Sequence, residues 1–154
     1  EDPVDIYGRS KLLGEVTRTP HLTLRTSIIG WQLRGSTGLM EWFKTQKNAR
    51  INGFKYAIYS GLTTQALCQI INQILEKCFS LSGIYHLASE PISKYDLLCT
   101  LNQMMLLNIN IIPDTYFRCD RSLDGRRFTE ESGIIVPSWD MMLSQLVSDV
   151  SQSR

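Results

Sequence analysis

Tyr7-Gly8-Arg9-Ser10-Lys11-Leu12-Leu13-Gly14-Glu15 and, after Pro20, His21-Leu22-Thr23-Leu24-Arg25-Thr26-Ser27-Ile28-Ile29-Gly30 decide the fold between them. The first run predicts a helix over Ile6 to Thr17, with Asp5 as N-cap and Leu12, Leu13 and Val16 on its apolar side. The second is rich in β-branched and apolar residues and reads as a single strand, with His21 in the loop before it. A helix followed by such a strand is the repeating unit of a parallel α/β sheet. Thr26, Ser27 and Gly30 then fall near the strand's C-terminal end, where open α/β sheets bind ligands. Tyr7 and Lys11, four apart, share one face of the helix. They are either an ordinary exposed pair or a catalytic unit. An ammonium beside a phenol favours the phenolate, as acid/base chemistry at a carbonyl or alcohol carbon requires.

The rest of the chain alternates in the same way. Gln32 to Gly38 is a polar loop, and Gly38 opens a short helix running to about Asn48. Ile51 to Tyr59 forms one or two short strands around Gly53. Ser60 to Thr64 is a loop with Thr63 as N-cap. It leads into a helix over Thr64 to Phe79, whose stripe is Leu67, Ile70, Ile71, Ile74, Leu75 and Cys78. Gly83 to Ser89 is a second buried-type strand. Ser93 caps a helix from Lys94 to about Leu107, and Asn108 to Pro113 is a short strand. Thr115 to Arg127 reads as polar and irregular. Ser138 caps a last helix with Trp139, Met142, Leu143, Leu146 and Val147 inward, and the tail from Ser148 frays.

Composition excludes several classes. The chain has 154 residues, enough for one domain with a real core; 43% are hydrophobic and 20% charged, which is a globular and not a disordered balance. Net charge is +1 with Lys and Arg scattered, so there is no nucleic-acid stripe, and no apolar run is long enough to span a membrane. Cys68, Cys78, Cys99 and Cys119 form no CxxC pair, which argues against zinc. The first three read as small core residues, and reduced thiols suit the cytosol. His86, inside a strand, reads as a core or sheet-edge residue and not as a metal ligand. The chain opens Glu1-Asp2-Pro3 without Met, as an excerpted, truncated or processed piece would.

One further cluster carries chemistry. Cys119-Asp120-Arg121-Ser122-Leu123-Asp124-Gly125-Arg126-Arg127-Phe128 is dense in Arg. Its guanidinium forks either clamp a phosphate or lie in solvent, neutralised by Asp120 and Asp124. Trp31, Trp42 and Trp139 read as core or interface residues, with Trp42 able to line a sugar-binding surface.

Taken in order, the Tyr7–Glu15 run, Leu24-Arg25-Thr26-Ser27-Ile28-Ile29-Gly30, Gly83-Ile84-Tyr85-His86-Leu87-Ala88-Ser89 and Arg121-Ser122-Leu123-Asp124-Gly125-Arg126-Arg127-Phe128 resemble the extended short-chain dehydrogenase/reductases. Within them the chain looks most like the dTDP-4-dehydrorhamnose reductase branch of sugar-nucleotide reductases. The resemblance implies an α/β fold: the C-terminal part of a Rossmann-type parallel sheet plus a small α/β substrate-binding lobe. Residues 1–37 would end the Rossmann-type domain, and 38–154 would form mostly the substrate lobe, with strand 83–89 returning to the sheet. It implies NAD or NADP as cofactor and a nucleotide sugar as substrate. Tyr7 would be the acid/base at the sugar C4 oxygen. Lys11 would be its partner and hold the nicotinamide ribose, with Thr26 and Ser27 beside the nicotinamide. Arg121, Ser122 and Arg127 would sit near the nucleotide-sugar diphosphate, and Trp42 and Thr63 on the substrate side.

The chain departs from the family in one large respect. No GxGxxG or GxxGxxG occurs in it, so the turn that cradles a dinucleotide pyrophosphate is missing. The expectation is the catalytic and substrate half of a cytoplasmic reductase, inactive alone and binding NAD(P) poorly. A strand at Leu22 to Ile29 with an unpaired edge would call for self-association or an N-terminal half in trans. A nucleotide-sugar epimerase or dehydratase piece, and a non-catalytic nucleotide-sugar-binding or interaction module, are the alternatives.

Overall fold

A computed structural model of the chain describes residues 6–77 and 80–152. Asp5 and Cys78, expected as a cap and a core residue, lie outside them. Helix α1 (Ile6–Leu13) leads to strands β1 (Leu22–Arg25) and β2 (Ile28–Ile29), and then to α2 (Leu39–Thr45) and β3 (Arg50–Tyr59). Next come β4 (Leu62–Thr63), α3 (Thr64–Lys77), β5 (Gly83–His86), β6 (Ile92–Ser93) and α4 (Lys94–Met105). The described chain closes with β7 (Asn110–Asp120), α5 (Arg126–Ser132) and α6 (Trp139–Gln152).

The architecture is mixed α/β with parallel strand pairs. β1 pairs with β5 and β2 with β4, both parallel. β3 is the centre of a three-stranded sheet, parallel to β7 and antiparallel to β6. The single strand expected from His21 to Gly30 is therefore two. After Arg25 the chain leaves β5 and crosses to β4 at Thr26-Ser27, where the Ser27 carbonyl accepts from the Leu62 amide at 2.9 Å. The strand expected to end at Ser89 stops likewise at His86.

One core joins these sheets to the helices. Leu98 and Leu101 of α4, Met142, Leu143 and Leu146 of α6, Ala66 and Ile70 of α3, Phe43 of α2 and Phe128 of α5 are all buried to 1% exposure or less. Each such large apolar side chain contributes roughly 1.5–3 kcal/mol. α4 begins where Ser93 accepts from the Asp96 amide at 3.0 Å, and α3 where Thr63 accepts from the Ala66 amide at 3.3 Å. α4 ends at Leu106 in the left-handed region, short of the expected Leu107.

Several expectations need correction. α1 stops at Leu13, not Thr17, and has no buried residue: Leu13 is 88% exposed. The buried stripe of α3 is Ala66, Ile70 and Ile74, whereas Ile71, Leu75 and Cys68 face outward. Ile51–Tyr59 lies in one ten-residue strand. α6 continues past Ser148 to Gln152.

The largest correction concerns Thr115 to Arg127. Residues to Asp120 extend β7, and Arg126 and Arg127 open α5. β7 is the outer strand of its sheet, which is why it tolerates Pro113. Its register with β3 runs from Phe54–Asp114 to Tyr56–Arg118, so β7 carries two extra residues at a bulge. Asp114 Oδ1 takes up the freed amides of Tyr116 (2.9 Å) and Phe117 (3.4 Å). The bulge brings the Phe117 ring to 4.9 Å from that of Phe54.

Candidate functional site

A cavity of about 760 Å³ opens where β2, β3, β7 and the start of α4 meet. Phe54 and Phe117 form one wall, and Trp31 and Tyr59 contribute others. The Trp31 indole donates to the Leu146 carbonyl at 3.0 Å, which fixes that wall to α6. Tyr59 stacks at a tilt on Trp139, 5.8 Å between centroids. Its hydroxyl is buried with no hydrogen-bond partner among the described residues, and burial pushes its pKa up.

Two cations line the same cavity: Lys94, the first residue of α4, and Arg121, just past β7. The Lys94 ammonium lies 5.7 Å from the Phe54 ring centre. The Arg121 amide donates to the Ile58 carbonyl at 3.1 Å, which anchors the start of the loop beside β3. Among the described residues no Asp or Glu lines the cavity. Glu41 is not a lining residue but adjoins two that are: one oxygen accepts from the Gln32 amide at 2.6 Å, and the other, beside Gly38, is buried without a partner among the described residues.

The sequence-derived site residues are distributed unevenly around this cavity. Tyr7 and Lys11 do face each other, with the ammonium 5.3 Å from the ring centre. Tyr7 is 71% exposed, and neither residue lines the cavity. The base of α1 is tied to β1 by a two-pronged Glu15–Arg25 ion pair at 2.7 Å, which holds the Glu15 carboxyl below its ordinary range. Thr26 and Ser27 occupy the crossing between β1 and β2, immediately before the cavity residues Ile28 to Gln32.

Trp42 sits on α2 and does not line the cavity. Thr63 is fully buried as the cap of α3, and its neighbour Thr64 reaches the cavity instead. Of the three residues expected at the diphosphate, only Arg121 lines it. Ser122 turns its amide and hydroxyl to Asp120 Oδ1, at 2.9 and 2.7 Å, which draws that carboxyl's pKa down. Arg127 bonds Glu131 at 2.8 Å and lies 4.4 Å over the Tyr85 ring. Arg126 is held by Asp124 at 2.5 Å, and these bonds bring Asp124 down to about 2.

Lys94, Phe54, Phe117 and Tyr59 were not singled out from the sequence. Tyr116-Phe117, beyond the turn-like Pro113-Asp114, are the local signal that β7 continues. Nothing local marks Lys94, whose position depends on how α4 packs on β3. Among the described residues no cluster of His, Cys, Asp and Glu could hold a metal, and no helix is long and apolar enough to cross a membrane.

No protein-family model and no curated protein matches the sequence. Solved structures do match. The chain has the fold of the dTDP-4-dehydrorhamnose reductases, whose sheet is of Rossmann type. The enzyme from Clostridium acetobutylicum superposes over 97% of this chain with a TM-score of 0.77 at 17% identity. That from Bacillus anthracis, solved with NADP, superposes over 96% with a TM-score of 0.72 at 19% identity. UDP-N-acetylglucosamine 4-epimerase from Bacillus cereus matches over 81% at 0.60 and 14% identity. The chain spans 57%, 56% and 44% of the lengths of these three proteins.

Proposed function

We propose that this chain supplies the catalytic acid/base and the nucleotide-sugar lobe of an NAD(P)-dependent reductase acting on a 4-keto sugar nucleotide. The observation that carries this reading is the cavity. On a fold shared with such reductases, it combines apolar and aromatic walls with the cation Arg121 and is lined by no carboxylate among the described residues. That surface suits an anionic ligand with an apolar body.

In this reading Tyr7 Oη gives a proton to, or takes one from, the sugar C4 oxygen, and Lys11 stabilises the charge that develops on the phenol. When bound, the nicotinamide supplies the hydride. Lys11 and Ser27, both exposed and with side chains that make no hydrogen bond among the described residues, suit the nicotinamide ribose end, with Thr26 beside them. No Gly-rich turn in the sequence suits the pyrophosphate. The chain alone is therefore expected to bind NADPH weakly and to turn over nothing, and micromolar affinity in isothermal titration would overturn that. The exposed β1 edge and the bare outer face of α1 support either self-association or an N-terminal half in trans. Free thiols at Cys68, Cys99 and Cys119 suit a cytoplasmic setting.

The test is NADPH oxidation with dTDP-4-dehydrorhamnose, using this chain supplemented with the Gly-rich half of a reductase. Tyr7→Phe is expected to lower turnover at least 100-fold, and unchanged turnover would refute the assignment. A second reading, a nucleotide-sugar-binding module without redox chemistry, draws on the exposure of Tyr7 and its position outside the cavity lining. An epimerase or dehydratase activity would use the same Tyr7 and Lys11.

A further inference from the structure

We propose that Lys94 is the second arm of an anion clamp with Arg121, and that the Phe54–Phe117 pair beside it bears the flat part of the same ligand, so that the cavity selects a nucleoside diphosphate group over a monophosphate. The proposal rests on the cavity reading above and adds to it a residue and a selectivity.

Three observations support it. First, the Arg-rich segment has sorted its own charges. Arg126 is neutralised by Asp124 and Arg127 by Glu131, while Arg118 lies 4.1 Å over the Tyr56 ring. Arg121 has no ion-pair partner among the described residues, and it is the Arg of that segment that lines the cavity. Second, Lys94 comes from a different element, is half-buried, and also has no ion-pair partner among the described residues. Two cations that line one cavity with no carboxylate among the described residues repel each other, and Lys94, unlike the exposed Arg121, is only partly solvated. An anion placed between them removes both penalties, and a second phosphate lets each cation meet its own negative charge. Third, the cations are next to a stacking surface. The Phe54 and Phe117 rings are 4.9 Å apart and tilted by 48°, and the Lys94 ammonium is 5.7 Å from the Phe54 centre. A base or sugar lying on those rings would hold its phosphates within reach of Lys94.

If Lys94 serves only as a solvated neighbour of Phe54, its charge will not matter to any ligand. The test uses the whole chain and the probes dTDP, UDP, dTMP and thymidine. Binding is read by isothermal titration and by protection of the Cys119 thiol, which lines the cavity, against iodoacetamide, with exposed Cys68 as the internal reference. Wild type is expected to bind a diphosphate at least tenfold more tightly than dTMP and to protect Cys119. Lys94→Met should remove that preference and weaken diphosphate binding at least tenfold, Lys94→Arg should restore it, and thymidine affinity should not change. Unfolding midpoints equal to wild type exclude a folding defect. If wild type binds dTDP or UDP and Lys94→Met binds it within twofold, the clamp is wrong and the cavity reading stands. If no nucleotide binds wild type and Cys119 stays unprotected, the cavity reading itself fails and takes the clamp with it.

Discussion

Replacing Gly53 with Ala should disturb stability and the cavity together. Gly53 is a buried residue of β3, opposite Pro113 of β7 and beneath the first turn of α4. A Cβ there would lie 2.9 Å from Ile111 Cγ2, 2.9 Å from Tyr95 Cδ2 and 3.1 Å from the Tyr95 Cα. Ordinary contact begins at 3.4 Å, so the side chains must yield by 0.5 Å and the α4 backbone by 0.3 Å. Ile111 is β-branched and stiff, and the Tyr95 Cα moves only with its helix. Overpacking of this size costs about 1–3 kcal/mol, offset by about 0.4–1 kcal/mol from the less flexible unfolded chain. The difference spans about 0–2.6 kcal/mol and centres near about 1.3 kcal/mol, or about 3–5 °C in Tm for a chain of this length. Urea unfolding should show a lower midpoint with an unchanged slope. Adding Ile111→Leu removes the clashing methyl and should return at least 0.5 kcal/mol beyond additivity. Because α4 starts at Lys94, displacing its first turn should also weaken nucleotide diphosphate binding. A Gly53→Ala variant as stable as wild type would show that β3 and α4 are not in the close approach described.

Two other expectations follow from burial and charge. Leu101→Ala, in the fully buried face of α4, should cost about 2–5 kcal/mol in urea unfolding, whereas Leu75→Ala, 61% exposed on α3, should stay within about 0.5 kcal/mol; similar losses would mean that α3 is rotated from the orientation described. Hydrogen bonds from Arg25 hold the Glu15 carboxyl below its ordinary value of 4.5, so the stability it contributes is complete above that pH and is lost as pH falls through the lower folded value. The stability difference between wild type and Glu15→Gln should therefore shrink between pH 6 and pH 3, and a constant difference would rule the ion pair out as its source.

What was legible in the sequence was local. Ser93, Thr63 and Ser138 were readable as helix starts because a side-chain oxygen beside an apolar run has a nearby amide to satisfy. The inward face of α6 was readable because its apolar residues form a single stripe. α3 was not, because Ala66-Ile70-Ile74 and Leu67-Ile71-Leu75 are two stripes at the same spacing, and only packing chooses between them. β7 was cut short for a related reason. Its bulge breaks the alternation between Asp114 and Arg118, and Asp114 next to Pro113 imitates a turn. The cavity inherited that error. Charge marks Arg121 only as one of four Arg in its segment and the resemblance singles it out with Ser122 and Arg127, Phe117 falls in a stretch that reads as irregular, and Lys94 gains significance only when α4 is laid on β3.

The same contrast bears on Tyr7 and Lys11. The Lys11 ammonium lies 5.3 Å from the Tyr7 ring centre, and two opposite unit charges at about that separation attract by about 0.8 kcal/mol in bulk water and about 3 kcal/mol at an effective dielectric of 20. The first is less than a tenfold effect, and the second exceeds a hundredfold. What separates an incidental surface pair from a working acid/base is thus not the spacing of the two residues but whether something excludes water from them. Ile6, Tyr7 and Leu13 on α1 are each at least 71% exposed, and Ile28 at the edge of β2 is 56% exposed. An apolar surface laid over these residues would desolvate the pair and shield its own hydrophobic area in one step. On the proposed reading the cavity needs no such cover to hold an anion, since its walls come from elements already packed together. On the proposed reading, nucleotide binding and proton transfer are therefore separable: the first would need only the packed cavity, and the second would need α1 to be covered.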